Sequence, residues 1–128
     1  MSPPDHEVYA IRYATVDRLA SENFHARVSP DVPMPMDYFV WLVRGGGRVV
    51  VVDTGFGEEA ARRRRRTLLC SPAEGLRELG VEASRVEDVV VTHLHYDHAG
   101  NLGLFESARL HVQEAEVAYA TGPAMAQG

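Results

Sequence analysis

Four side chains of metal-binding type lie close together in the stretch His93-Leu94-His95-Tyr96-Asp97-His98. Three imidazoles and one carboxylate within six residues exceed what core packing needs, although a single buried histidine would be an ordinary hydrogen-bonded core residue. Imidazole nitrogen and carboxylate oxygen together suit zinc or another borderline divalent ion, such as manganese, iron or cobalt. The stretch is therefore predicted to bind metal through His93, His95, Asp97 and His98.

The element that positions this cluster is a strand. The apolar run Val89-Val90-Val91 closely precedes the cluster and predicts a buried strand that gives way to a loop. Since successive side chains of a strand point to opposite faces, His93 and His95 are expected on the same side. These two imidazoles are thereby predicted to share one metal ion.

The adjacent Asp97 and His98 need a change of backbone direction. On an extended backbone their side chains would diverge, whereas a turn after Tyr96 would fold both toward the same pocket, and Gly100 makes such a bend easy. The cluster then predicts two neighbouring metal ions. The first two histidines bind one ion, and this aspartate–histidine pair binds the other.

A second carboxylate ends another apolar strand. Residues 49–52 are all valine and lead into Asp53-Thr54-Gly55. An ionised side chain at the end of such a strand needs a partner, because burying an unpaired charge is costly. Backbone amides of the following turn are one such partner. Alternatively, Asp53 accepts a hydrogen bond from a metal-binding imidazole and so fixes the tautomer of that ring.

Together these motifs resemble the metallo-β-lactamase superfamily. The cluster matches its HxHxDH signature, and the continuation His98-Ala99-Gly100-Asn101 is similar to that of N-acyl homoserine lactonases. The stretch Val51-Val52-Asp53-Thr54-Gly55 looks like the first strand-end motif of the superfamily. The resemblance runs from about residue 38 to about residue 119, and it favours an imidazole as the partner of Asp53.

The resemblance implies an α/β (α+β) fold, in which two β-sheets are covered by helices in the order αββα and the site lies between the two halves. This sequence accounts for about the first half, so residues 1–128 are expected to form a single, incomplete domain, an N-terminal portion of the fold. One sheet face would then be uncovered, which favours association through that face.

The activity that the resemblance implies is hydrolysis by a metal-bound hydroxide, most similar to the ring opening of acyl-homoserine lactones in quorum quenching. Two zinc ions, or other divalent metals, would activate a bridging water and polarise the carbonyl group, with Asp97 as a catalytic residue. The expected substrate is a small-molecule lactone or ester. A thioester or phosphodiester hydrolase of the same superfamily is the alternative activity.

The ligand set is short for such a centre. Catalytic zinc normally keeps three protein ligands, whereas this cluster offers two to each ion. In the lactonases that the chain resembles, the C-terminal half brings one further histidine to each metal, a bridging aspartate, and a tyrosine that assists the substrate. A truncated, non-catalytic remnant is therefore a third interpretation.

A substrate pocket is predicted from three apolar side chains near these motifs. Met34 and Met36 precede an apolar strand, and Phe56 follows Asp53-Thr54-Gly55. Methionine adapts to flexible acyl chains, although filling gaps in a core is its commoner use.

Composition argues against several kinds of partner. The 128 residues carry a net charge of −5, so neither nucleic acid nor an anionic membrane surface is expected as a partner. The one cysteine, Cys70, cannot form an intrachain disulfide. The N-terminus lacks the basic and apolar segments of a secretion signal, and no apolar run approaches the roughly 20 residues of a membrane span. A cytoplasmic location is the expectation.

Five consecutive arginines at residues 62–66 stand out in this acidic chain. They span more than one helical turn and leave no apolar face. Glu58 and Glu59 lie four residues ahead of Arg62 and Arg63, an order that favours helix ion pairs. A solvated helix or a mobile loop is predicted here, in preference to a nucleic-acid site.

The remaining pattern indicates strands joined by turns and short helices. Residues 38–43 and 48–52 predict a hairpin around the turn Gly45-Gly46-Gly47, and their apolar runs predict burial on both faces. A capping box at Ser71-Pro72-Ala73-Glu74 predicts a helix. Further predicted elements are a strand at 7–15, a helical turn near 102–105, a strand at 109–112 and a helix at 113–120.

Overall fold

The computed structural model describes residues 2–123, in which six strands form one mixed sheet with helices packed against one face. In chain order the strands are β1 (Glu7–Val16), β2 (Met36–Gly45), β3 (Arg48–Val52), β4 (Thr67–Leu68), β5 (Asp88–Val91) and β6 (Arg109–Val112). Their spatial order is β4-β1-β2-β3-β5-β6. The pairs β4–β1, β1–β2 and β2–β3 are antiparallel, whereas β3–β5 and β5–β6 are parallel.

Short helices connect the strands. They are α1 (Ala20–Asn23), α2 (Glu58–Arg64), α3 (Pro72–Glu78), α4 (Tyr96–Ala99) and α5 (Glu114–Thr121), with 3-10 turns at Ala83–Arg85 and Leu102–Leu104. The predicted capping box of α3 is confirmed, because Ser71 Oγ accepts a hydrogen bond from the Ala73 N–H at 3.2 Å. Among residues 2–123, no helix combines the length and the apolar composition that crossing a bilayer requires.

The hairpin of β2 and β3 turns as the glycines predict. Gly46 and Gly47 have φ values of 57° and 75°, which glycine adopts without strain, and Gly45 pairs with Arg48 across the turn. The return strand ends at Val52, so the turn sets where Asp53 leaves the sheet. This local geometry follows directly from three consecutive glycines.

The prediction that both faces of this hairpin are buried is wrong. Along β2, Tyr38, Val40 and Leu42 are buried, while the alternating Phe39 and Trp41 are 37% and 40% exposed. The apolar side chains of the second face have no covering element among residues 2–123. An apolar run indicates that both faces are suited to burial, but it does not reveal whether the partner layer lies in the same stretch of chain.

The exposed face crosses several strands. Trp41 pairs with Ala10 on one side and Val52 on the other, and Val52 pairs with Val90. Val8, near the start of β1, is 61% exposed. The uncovered face that the sequence predicts is therefore present in the described residues, whereas association through it stays a prediction.

The parallel pairing of β3 and β5 positions the candidate site. Val52 lies beside Val90, so both strands end at the same edge of the sheet. Asp53 continues the ladder, because its N–H donates to the Val90 carbonyl at 2.8 Å. The loop after β3 and the histidine-rich loop after β5 consequently meet at this edge.

Candidate metal centre

The three imidazoles of the cluster lie together just beyond the end of β5. The ring centroids of His93 and His95 are 4.6 Å apart, and those of His93 and His98 are 3.9 Å apart. The backbone turns into α4 at Tyr96, and this turn brings His98 back toward His93. Asp97 Oδ2 lies 3.3 Å from His98 Nε2. The structure thus gathers all four residues that the sequence singled out.

Asp53 is buried beneath this cluster, with only 4% of its surface exposed. Its Oδ2 lies 2.7 Å from His98 Nδ1, and its Oδ1 accepts a hydrogen bond from the Thr92 N–H at 2.8 Å. Of the two partners considered for this carboxylate, the imidazole is the one present, and the amide that it accepts from belongs to Thr92. The charge is therefore compensated by residues of the β5 loop.

The hydrogen bonds of Asp53 specify the tautomers of two rings. A carboxylate only accepts, so His98 Nδ1 carries a hydrogen, and Nε2 has a free lone pair when the ring is neutral. The Thr92 hydroxyl donates to Asp53 at 2.9 Å, and so it can only accept from His93 Nδ1, which lies 3.1 Å away. In its neutral form the His93 ring then also has a free lone pair on Nε2. One buried aspartate directs both rings, the second through Thr92.

A further network joins the two loops. The Thr54 N–H and hydroxyl both donate to the His98 carbonyl, at 2.7 and 2.9 Å. The Asn101 N–H donates to Thr54 Oγ1 at 3.1 Å, and its side-chain amide donates to the Thr54 carbonyl at 3.0 Å. Sequence reasoning assigned no role to Thr54, Thr92 or Asn101. Their proximity to the two motifs was the available signal, since each adjoins or lies within one of them.

Tyr13 of β1 contacts the cluster from the buried core. Its hydroxyl donates to the Asp97 carbonyl at 3.1 Å, and its ring packs edge-on against Phe56 with centroids 5.1 Å apart. Burial, and then the nearby Asp97 charge, raise the pKa of Tyr13 well above its ordinary value. The phenol therefore remains a hydrogen-bond donor. The separation of Tyr13 from Asp97 along the chain left no sequence signal for this contact.

Gly100 has a different role from the one predicted. Its backbone is right-handed, with φ −76°, so it does not supply an unusual bend. Instead, an added Cβ would meet the Tyr96 carbonyl oxygen, and would lie 2.7 Å from the Gly55 carbonyl oxygen and 3.0 Å from Phe56 Cα. Glycine is required because the two loops approach each other here.

We expect Gly100→Ala to destabilise the protein by about 1–3 kcal/mol, because backbone atoms surround the added methyl group. Gly103→Ala is the matched control, since a Cβ there meets nothing within 4 Å, and it should change the free energy of unfolding by less than about 0.5 kcal/mol. Urea unfolding of both variants measures the difference. Equal stability of the two variants would contradict the close approach of the loops.

The three predicted pocket residues lie in different surroundings. Phe56 is fully buried, and its ring centroid lies 5.2 Å from that of Tyr38 and 5.5 Å from that of Tyr96. Phe56 and Asn101 also line a surface cleft. Met36 begins β2, which runs antiparallel to β3, so it lies toward the edge where the site is found. Met34 donates its N–H to the Arg18 carbonyl at 2.6 Å.

The four side chains have the chemical types and the spacing of metal ligands, but they are too few to complete a metal centre. Imidazole and carboxylate suit zinc, and two of the rings present an Nε2 lone pair. Within residues 2–123, however, no group of three histidine, cysteine, aspartate or glutamate side chains is arranged to hold an ion.

Comparison with known proteins identifies the family. The model of the metallo-β-lactamase superfamily matches residues 34–126, which is well over half of the chain. The chain belongs to the metallo-β-lactamase superfamily. Members of this superfamily are hydrolases that use divalent metals, usually zinc. The fold and family that the motifs predicted are thereby confirmed.

Individual members of the superfamily differ in what they act on. The human acyl-coenzyme A thioesterase MBLAC2 is 40% identical over 78 residues, which are 60% of this chain and 27% of that protein. The N-acyl homoserine lactonase AiiB of Agrobacterium fabrum is 43% identical over 51 residues, which are 40% of this chain and 18% of that protein. The chain thus spans under a third of the length of these curated relatives.

Solved structures share the fold over a longer stretch. An N-acyl homoserine lactone hydrolase, with the product N-hexanoyl-L-homoserine bound at its catalytic metal centre, aligns with a TM-score of 0.67 and 19% identity. The alignment covers 91% of this chain and 51% of that one. At this identity the likeness establishes the fold alone. The chain corresponds to about half of that metallo-β-lactamase fold.

Proposed function

We propose that this chain carries part of the active site of a metal-dependent hydrolase that acts at an acyl carbonyl, with a lactone ring as the first candidate substrate. The observation that carries the proposal is the gathering of His93, His95 and His98 at one sheet edge, where buried Asp53 orients His98 through a 2.7 Å hydrogen bond. Imidazoles oriented by a carboxylate in this way are typical of metal ligands.

The proposed ligands are His93 with His95 for one divalent ion and Asp97 with His98 for a second, with zinc as the first choice. Each ion would need further ligands, which residues 2–123 do not bring to this point. When bound, such ions supply Lewis acidity and lower the pKa of a bound water to about 7.

The other residues of the chain orient these donors. Asp53 keeps a hydrogen on His98 Nδ1 and, through Thr92, on His93 Nδ1. The Nε2 atoms of the two neutral rings are then available to bind metal. Tyr13 holds the Asp97 carbonyl, and Thr54 holds that of His98. Because these contacts lie on the buried side, the donor atoms are arranged before any ligand arrives.

Asp97 is proposed as a catalytic residue as well as a ligand. Its side chain is 21% exposed, and its Oδ2 lies 3.3 Å from His98 Nε2. A carboxylate that reaches the open side of the cluster can accept the proton of the attacking water and release it to the leaving group. Met34 and Met36 are proposed to border the acyl-binding region, and Phe56 to form part of its wall. A cytoplasmic location stays a prediction.

A thioester is the second candidate substrate, and two observations favour it. The human relative is named as an acyl-coenzyme A thioesterase. In addition, the arginines at 62–66 adjoin the candidate site, which suits a substrate with an anionic leaving group better than a neutral lactone. The attack on the carbonyl carbon is the same in both cases, and only the leaving atom differs.

Comparing three substrates on the zinc-loaded whole protein tests the proposed function. We expect an N-acyl homoserine lactone or an acyl-coenzyme A thioester to be hydrolysed with kcat/KM on the order of 10⁴ M⁻¹s⁻¹ or more, the usual enzyme range. A phosphodiester should be hydrolysed far more slowly. Turnover of none of the three substrates by metal-loaded protein would support the non-catalytic remnant and contradict the proposal.

A further inference from the structure

The arginine cluster, residues 62–66, is an isolated concentration of positive charge in an acidic chain. It holds five of the 13 basic residues, although the net charge of the chain is −5. Helix α2 ends within it, and Arg62, Arg63, Arg64 and Arg65 are all exposed. The predicted ion pairs with Glu58 and Glu59 are not formed. Within residues 2–123, none of the five guanidinium groups lies in an ion pair.

Two members of the cluster attach it to the candidate metal centre. The guanidinium carbon of Arg64 lies 3.8 Å from the ring centroid of Tyr96, the residue between His95 and Asp97. Arg66 Nε donates to the Tyr96 hydroxyl at 3.4 Å, and its Nη1 donates to the Arg64 carbonyl at 2.7 Å. The cluster therefore begins at the side of the histidine motif itself.

One residue of the arginine cluster has an unfavourable backbone conformation. Arg65 ends α2 in the left-handed region, with φ 56°, where helices usually place glycine. Positive side chains favour the C-terminal end of a helix, and Arg62, Arg63 and Arg64 lie in the last turn of α2. This effect is worth only about 0.3–1 kcal/mol for each charge, so it does not account for five consecutive charges without carboxylate partners in the described residues.

We propose that Arg62, Arg63 and Arg65 bind the phosphate groups of a nucleotide-bearing thiol, the leaving group of a thioester whose acyl carbonyl is hydrolysed at the adjacent centre. This inference rests on the proposed function and selects its second candidate substrate. Guanidinium groups recognise phosphate through paired hydrogen bonds, and several of them together match a group that carries more than one phosphate. Tyr96, which Arg64 and Arg66 contact, connects the arginine cluster to the acyl site.

A neutral lactone gives the cluster nothing to bind, and a long polyanion suits it poorly. The remaining charge of the chain is strongly negative, so a duplex extending beyond five residues would meet repulsion. A small phosphorylated group needs only the cluster itself. The size of the patch therefore favours a substrate moiety over a nucleic acid.

Binding of adenosine 3′,5′-bisphosphate, a probe with phosphates and no acyl carbonyl, tests the inference by calorimetry on the whole protein. The triple variant Arg62→Gln, Arg63→Gln, Arg65→Gln should raise the Kd of this probe about tenfold or more, because each lost charged hydrogen bond contributes to affinity. Arg109→Gln is the matched control. Arg109 is the first residue of β6 and pairs with the first residue of β5, so it lies at the sheet edge opposite the candidate site. Its replacement removes one exposed charge and should change Kd less than twofold.

The double variant Arg62→Gln, Arg63→Gln leaves the strained residue 65 unchanged and should still raise Kd at least threefold, which covers the case that the triple variant does not fold. An equal Kd for wild type and the folded variants overturns the inference. Tighter binding of a short DNA duplex than of the bisphosphate, through the same arginines, also overturns it. These results are independent of turnover, whereas failure of the proposed function appears as no hydrolysis of any acyl substrate.

Discussion

Replacing His95 with alanine is expected to lower kcat/KM for the acyl substrate by at least 10²–10³-fold, the loss typical for removing one electrostatic group of a hydrolytic site. The imidazole of His95 packs 4.6 Å from that of His93, and the variant leaves His93 as the only proposed protein donor of that pair. Bound metal, measured by elemental analysis after dialysis, should fall by about one ion per chain. A steady-state assay at several zinc concentrations gives the kinetic loss.

His111→Ala is the matched control for this experiment. His111 is also a partly exposed histidine, 2.9 Å from a carboxylate oxygen of Asp88, but it lies on β6 outside the cluster. It should change neither metal content nor kcat/KM by more than about twofold, since surface substitutions away from special features have small effects. Similar losses in the two variants would mean that the cluster has no special role.

Replacing Asp53 with asparagine is expected to weaken metal binding and activity by about 10–100-fold, although Asp53 touches neither metal nor substrate in our account. Asparagine tolerates the left-handed backbone at this position, where φ is 64°, and it can still accept from the Thr92 N–H. Its amide nitrogen, however, presents a donor to His98 Nδ1. The ring would then carry its hydrogen on Nε2, and Nε2 would no longer have a lone pair for binding metal.

The comparison for Asp53→Asn is Asp88→Asn, because Asp88 also hydrogen-bonds a histidine ring nitrogen, at 2.9 Å. That change should weaken the local contact and leave metal affinity within about twofold. Competition against a chromophoric chelator measures the affinity of each variant, and thermal unfolding verifies that both are folded. Equal zinc affinity in the Asp53 and Asp88 variants would refute the orienting role.

Much of the fold was predictable because local chemistry determines it. The three glycines at 45–47 specify the hairpin turn, and Ser71 with Glu74 caps α3. The burial of β2 and β3 was mispredicted for a physical reason. Side chains such as Trp41 are suited to contact with another layer, and their sequence carries no information on where along the chain that layer is encoded.

The candidate site was predictable only in part for a similar reason. Four donors within six residues reveal themselves by composition, and the alternation of a strand explains why His93 and His95 face the same side. The contact of Asp53 with His98 depends on the parallel pairing of β3 and β5, which no local pattern specifies. The role of Tyr13 depends on a contact between residues 84 positions apart, and so only the folded chain reveals it.

Anomalous X-ray scattering at the zinc edge, from crystals of the whole protein grown with zinc, shows whether this cluster binds two metal ions. We expect two neighbouring peaks at the edge where β3 and β5 end, one beside His93 and His95 and the other beside Asp97 and His98. Zinc found only elsewhere on the protein, or no peak at this edge at saturating zinc, would contradict this expectation.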